Sequence, residues 1–221
     1  MKRAFFYVLI LLFLSHGADA KERFKPELWL GTSHGVTLSS VTLYPKVKEG
    51  MLLGYNGGLI MRYFGEKDFG IQAELNYSMR GWKEAMEKTP EYAYTRRMNY
   101  VELPFLTHIA FGDKTKGFIN AGPKLGYFLS ETETYNFDPA TASLPIKEQY
   151  GKKTEQKFDY GICIGAGVEF ATGIGQFGLE GRYYYGLGDF FKTSSTTFFN
   201  TASMQTISIN LVYTVPLTKN K

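Results

Sequence analysis

Over positions 69–80 apolar and polar side chains alternate without a break. Phe69, Ile71, Ala73, Leu75, Tyr77 and Met79 take the odd places, and Gly70, Gln72, Glu74, Asn76, Ser78 and Arg80 the even ones. A period of two belongs to a β-strand whose two faces meet different surroundings. The pattern recurs near the end of the chain, where Ile207, Ile209, Leu211, Tyr213 and Val215 oppose Thr206, Ser208, Asn210 and Thr214. It recurs again over 158–170, with Phe158, Tyr160, Ile162, Ile164, Ala166, Val168 and Phe170 against Asp159, Gly161, Cys163, Gly165, Gly167 and Glu169.

Segments 28–38, 52–63, 100–111, 117–130 and 176–187 carry the same pattern less cleanly. Each is about ten residues or more, the length that crosses a bilayer when a strand is tilted. The expected fold is therefore all-β: an eight-stranded antiparallel up-and-down transmembrane barrel. The connections 64–68, 112–116 and 171–174 are short, whereas 39–50, 81–95, 131–157 and 188–204 are long. Short periplasmic turns alternating with long external loops are the asymmetry of such a barrel, and put both ends of the barrel on the periplasmic side.

Composition sharpens this picture. Tyr 16 and Phe 18 are abundant, and they gather near segment ends. Tyr63, Phe64, Phe69, Phe111, Phe118, Phe170 and Phe177 flank the short turns. Tyr77, Trp82, Tyr100, Tyr127, Tyr183, Tyr185 and Phe190 approach the long loops. Amphipathic rings favour the two membrane interfaces, so two aromatic belts are expected. Residues 1–20 read as a cleaved signal peptide, with Lys2 and Arg3 before an apolar run and Ala18-Asp19-Ala20 at the cleavage site. Residues 21–221 then form one barrel domain. Cys163 is the single cysteine, which excludes an intramolecular disulfide. The net charge of +4 is too small to argue for nucleic acid.

Two motif groups carry a resemblance. Tyr100-Val101-Glu102-Leu103-Pro104-Phe105-Leu106 and Ala121-Gly122-Pro123-Lys124-Leu125-Gly126-Tyr127-Phe128-Leu129-Ser130 form the first. Asp159-Tyr160-Gly161, the stretch 165–170 and Arg182-Tyr183-Tyr184-Tyr185-Gly186-Leu187 form the second. Together they resemble the small outer-membrane β-barrel family common in Bacteroidota, described as porin-like or PorT-like. The resemblance implies a bacterial outer-membrane location and, beyond that, a role accessory to protein secretion. One departure is that Tyr213 is the last aromatic, with 215–221 trailing past it. Pro104 and Pro123 each remove an amide donor from a ladder that has no free edge. They are expected to lie near each other and to share one bulge.

The polar faces supply the candidate site. Arg62, Lys124 and Arg182 can meet Glu74, Glu102, Asp159, Glu169 and Glu180 inside the barrel. Eight strands enclose only enough space for side chains to fill, so these charges are expected to pair as a structural plug. The mixed signs speak against a selective pore. After removal of His16 with the signal, His34 and His108 are too few for a metal cluster, and no cofactor or metal is expected. A dyad of His108 with Glu102 reads better as neighbouring charges on one strand, so no enzyme is expected. The function expected is a structural barrel acting through its external loops, monomeric, with lipids and a loop-bound protein as partners. Loop 131–157, with Tyr135, Phe137 and Tyr150, is the candidate contact surface. The alternatives are a low-conductance porin, a secretion accessory, and a soluble lipocalin-like barrel with its faces reversed.

Overall fold

The computed structural model describes residues 24–218, apart from 85, 87, 88, 90, 143 and 194–196. The expected signal peptide lies outside the described residues. Eight strands follow one another along the chain: β1 (Glu27–Tyr44), β2 (Glu49–Glu66), β3 (Phe69–Glu84), β4 (Tyr94–Gly112), β5 (Thr115–Tyr135), β6 (Phe158–Thr172), β7 (Gly175–Asp189) and β8 (Thr201–Pro216). Each pairs antiparallel with its neighbours, and β1 pairs with β8 to close the barrel.

The apolar faces point outward. Leu59, Ile71, Ile109, Ile162, Ile209 and Leu211 are all exposed, while Glu74, Asn76, Asn120, Glu180 and Asn210 are buried inside. A lipocalin-like barrel would show the reverse. The inner turns are tight, joining strands through Lys67 and Asp68, Asp113 and Lys114, and Gly173 and Ile174. Outer connections are longer at 85–93, 136–157 and 190–200. The first was expected over 39–50 but shrinks to 45–48. The reason is that β1 goes on pairing with β8 as far as Tyr44 and β2 already pairs with β3 from Glu49, although the β1–β2 ladder itself ends at Ser39 and Leu52. There the alternation no longer separates lipid from lumen, so the sequence pattern faded before the strand did.

Two further expectations are corrected by strand parity. Phe64, Phe118, Trp82, Tyr100 and Phe190 do not stand in outward belts; all five are buried. Phe64 shares the inward parity of Arg62, and Tyr100 that of Glu102. Tyr63, Phe69, Phe111 and Phe170 remain outward near the short turns, as do Tyr77, Tyr127, Tyr183 and Tyr185 on the outer side. The prolines sit as neighbours: Pro104 pairs with Lys124, and the ladder resumes at Thr107 with Ala121. The lost pairing is concentrated there, yet the register is unchanged across the gap, so it is an interruption and not a bulge. The bulge in this ladder lies elsewhere, where Asn99 faces Ser130 but Tyr100 faces Phe128.

Candidate functional site

All eight candidate residues project into the lumen and are buried. They form three tiers. In the inner tier, Arg62 donates from Nη1 to Glu169 Oε2 at 2.8 Å and from Nε to Gln72 Oε1 at 2.8 Å. Asn120 donates from Nδ2 to Glu180 Oε1 at 2.9 Å, which leaves its Oδ1 to accept from His108 Nδ1 at 2.8 Å. Phe64 and Phe118 pack against His108 at centroid distances of 5.5 and 5.2 Å. These rings close the periplasmic end.

The middle tier centres on Arg182. Its Nη1 and Nη2 clasp Glu74 at 2.8 and 2.7 Å, and Nη2 also reaches Glu180 at 2.8 Å. A planar guanidinium fits a carboxylate with two parallel bonds, which fixes its position as well as its charge. Gln72 and Asn76 donate to the two Glu74 oxygens at 2.5 and 2.7 Å. Gly165 opposes Arg182 across β6 and β7, and a Cβ there would run into the Glu180 carboxylate. Glycine on the polar face thus makes room for the pair.

In the outer tier Lys124 Nζ donates to Glu102 at 2.9 Å and lies 3.6 Å from the centroid of the Tyr184 ring. Arg80 lies 3.1 Å from Glu102 and 2.9 Å from Asp159, and Tyr184 donates its hydroxyl to Asp159 at 2.9 Å. Asp159 therefore pairs with Arg80, a cation absent from the sequence-derived set, although Arg80 continues the parity of Glu74. Between the middle and outer tiers remains a cavity of about 20 Å³ bordered by Asn56, Asn76, Lys124 and Thr206. That is room for about one water molecule.

Above the lumen sits a second, apolar core. Trp82, Tyr94, Met98, Tyr100, Phe128, Phe190, Phe191 and Phe199 pack together within the outer mouth. Arg96, 0% exposed, passes through this cluster and anchors the third outer connection. It pairs with Glu131 and, at 2.9 Å, with Glu133, and it donates to the backbone carbonyl of Lys152 at 2.7 Å. The bulge makes this possible. One extra residue, Leu129, switches the inward parity of β5, so Glu131 and Glu133 turn toward Arg96. Sequence reading missed Arg96 because it fell between a loop and a strand, although it shares the even parity of Glu102.

The outer connections also clasp one another. The Lys192 amide donates to Glu155 at 2.8 Å, and this bond is the main reason its carboxyl is held below the ordinary 4.5. A depressed carboxyl contributes to stability above its unfolded value and loses that contribution as pH falls through the folded one. The Lys192 amide is therefore expected to lose protection against deuterium exchange, measured relative to a free amide at the same pH, as pH falls below about 4.5. Replacing Glu155 with Gln should flatten that pH dependence; an unchanged profile would count against the clasp.

Eight antiparallel strands closed around a polar, side-chain-filled lumen and faced outside with apolar residues define a transmembrane β-barrel. The chain belongs to the outer membrane protein beta-barrel domain family, whose model matches residues 20–192. It is accordingly an outer-membrane barrel protein. Among solved structures it is similar to OprG of Pseudomonas aeruginosa, at 10% identity and a TM-score of 0.54 over 89% of this chain and 99% of that one. Ail of Yersinia pestis matches at 15% identity and a TM-score of 0.44, over 86% and 99%. Neisserial surface protein A matches at 12% and 0.45, over 86% and 99%. At this identity the likeness to OprG is one of fold. No curated protein matches the chain.

Proposed function

We propose that this protein is a closed, non-enzymatic barrel of the small Bacteroidota type that acts through its outer connections. The observation carrying this reading is the continuous filling of the lumen. Phe64 and Phe118 lie at one end, three ion-paired tiers in the middle, and the apolar cluster around Arg96 at the other. A route for solutes would require several buried pairs to separate together, each at a cost of several kcal/mol. The outer connections, by contrast, form a packed surface. Phe137 stacks on Tyr92 at 4.9 Å and meets Tyr150 at 5.3 Å, which itself packs on Tyr94 at 4.9 Å. A preordered surface loses less freedom on binding than a loose one. It includes a hollow of about 260 Å³ lined by Val47, Met86, Leu144 and Ile146, a shape that receives an apolar side chain of a partner.

Planar-bilayer recording of the refolded protein tests this, with a boiled-versus-unboiled gel shift as the folding control. A folded protein is expected to leave the bilayer silent. Discrete conductance steps that disappear when Glu74 or Arg182 is replaced would overturn the closed-barrel reading in favour of a narrow porin. The role accessory to secretion rests on the motif resemblance. Loss of secretion in a strain lacking the gene, restored by the intact chain, would favour it.

A further inference from the structure

On the lipid-facing wall a histidine stands among apolar side chains. His34 points outward from β1 and is exposed. Around it stand Val36 and Leu38 on the same strand, Leu59 on β2, and Ile209 and Leu211 on β8, all exposed and apolar. His34 lies six positions along β1 from Leu28, the ladder partner of Tyr63 in the inner aromatic belt. With a rise of about 3.4 Å per residue and a tilt of about 45°, that is roughly 14 Å above the belt. The apolar band of such barrels is about 25 Å tall, so His34 stands near its middle.

Its seat is built. Nδ1 lies 2.7 Å from the Tyr55 hydroxyl, and the rings stack at 6.3 Å. Opposite His34 in the ladder is Gly57, where a Cβ would collide with both the Tyr55 hydroxyl and the imidazole. The other ring nitrogen, Nε2, and the hydroxyl of Thr32, two residues along the same face, have no partner among the described residues. Water does not reach this depth and lipid headgroups lie at the interfaces, so an unmet polar group here is costly. A polar group of a second protein at the same depth would meet it.

We infer that two copies of this chain associate side by side in the membrane through the β1–β8 wall around His34. Every copy inserts in the same orientation, so a two-fold axis along the membrane normal brings this patch onto its own image at the same depth. The patch is self-complementary in chemistry. Thr32 supplies a hydroxyl that both donates and accepts, and so suits either tautomer of a facing imidazole. It is self-complementary in shape as well. A groove of about 350 Å³ runs beside His34, bordered by Thr32, Phe177, Gly178 and Tyr213. At its edge Leu211, 67% exposed, projects as the knob that enters the groove of the second copy.

The test uses the full chain refolded in phospholipid vesicles, with Leu211→Cys as the reporter and oxidative cross-linking as the readout. Cys163 is buried and stays silent. Cross-linked dimer is expected from Leu211→Cys and not from Ile119→Cys on β5, the opposite wall. Adding His34→Leu to the reporter should lower the yield about tenfold, in line with polar contacts between membrane segments, while the gel shift confirms folding. A yield no higher than that of Ile119→Cys would mean that lipid chains alone cover the groove, and would overturn the inference. So would a yield indifferent to His34→Leu.

Discussion

Replacing Arg182 with Met is expected to destabilise the barrel by about 3–5 kcal/mol, the usual cost of removing one partner from a buried ion pair. The reason lies in what remains. Glu74 and Glu180 have fully buried side chains and share this one guanidinium. Without it, two carboxylates stay in the lumen with Gln72, Asn76 and Asn120 as their remaining donors. Dipoles of that kind do not replace a cation. Adding Glu74→Gln and Glu180→Gln to the variant removes the stranded charges and should recover most of the loss, because replacing a whole buried ion group is often near neutral. Urea unfolding in vesicles, followed by the gel shift, measures both. A single variant costing less than about 1 kcal/mol would mean that the middle tier is solvated and that the lumen is open to water.

The second large effect is expected at Arg96. Its replacement with Met removes the cation between Glu131 and Glu133 and the donor to the Lys152 carbonyl. It also ends the stacking over Trp82 and Phe191, at 5.4 and 5.1 Å. Together these losses should weaken the outer core by about 2–4 kcal/mol. The barrel beneath has its own pairs and should stay folded, so the loss is local. Limited proteolysis reports it: cleavage within 136–157 should accelerate at least tenfold while the gel shift persists. Equal cleavage of both proteins would show that the aromatic contacts hold the connection without Arg96.

The barrel was legible because lipid and lumen impose opposite demands on alternate residues. In β3, β6 and β8 the pattern states strand, faces and approximate ends. The members of the lumen network were legible for the same reason, since Glu74, Glu102 and Arg182 had nowhere to go but inward. Who pairs with whom was not. Arg182 meets Glu74 from β7 across the barrel to β3, and no spacing in one strand encodes a contact across the lumen. The outer core was harder still. Above the lipid both faces of a strand meet either water or packed loops, so Trp82 and Tyr100 looked like interface aromatics while pointing inward. His34 was visible only as a residue too isolated to bind a metal. Its place in the lipid-facing wall emerged from the ladder.

The extra residue at Leu129 separates two levels of specification. Below it, β5 keeps in step with the barrel, and any shift would turn apolar side chains into the lumen. Above it, parity is reset, and the outer core answers only to its own packing. A lineage could therefore exchange the residues beyond this point, in length or in chemistry, without retuning the membrane part. The same wall can present different outer surfaces, and variation among relatives should accumulate on the far side of that one residue.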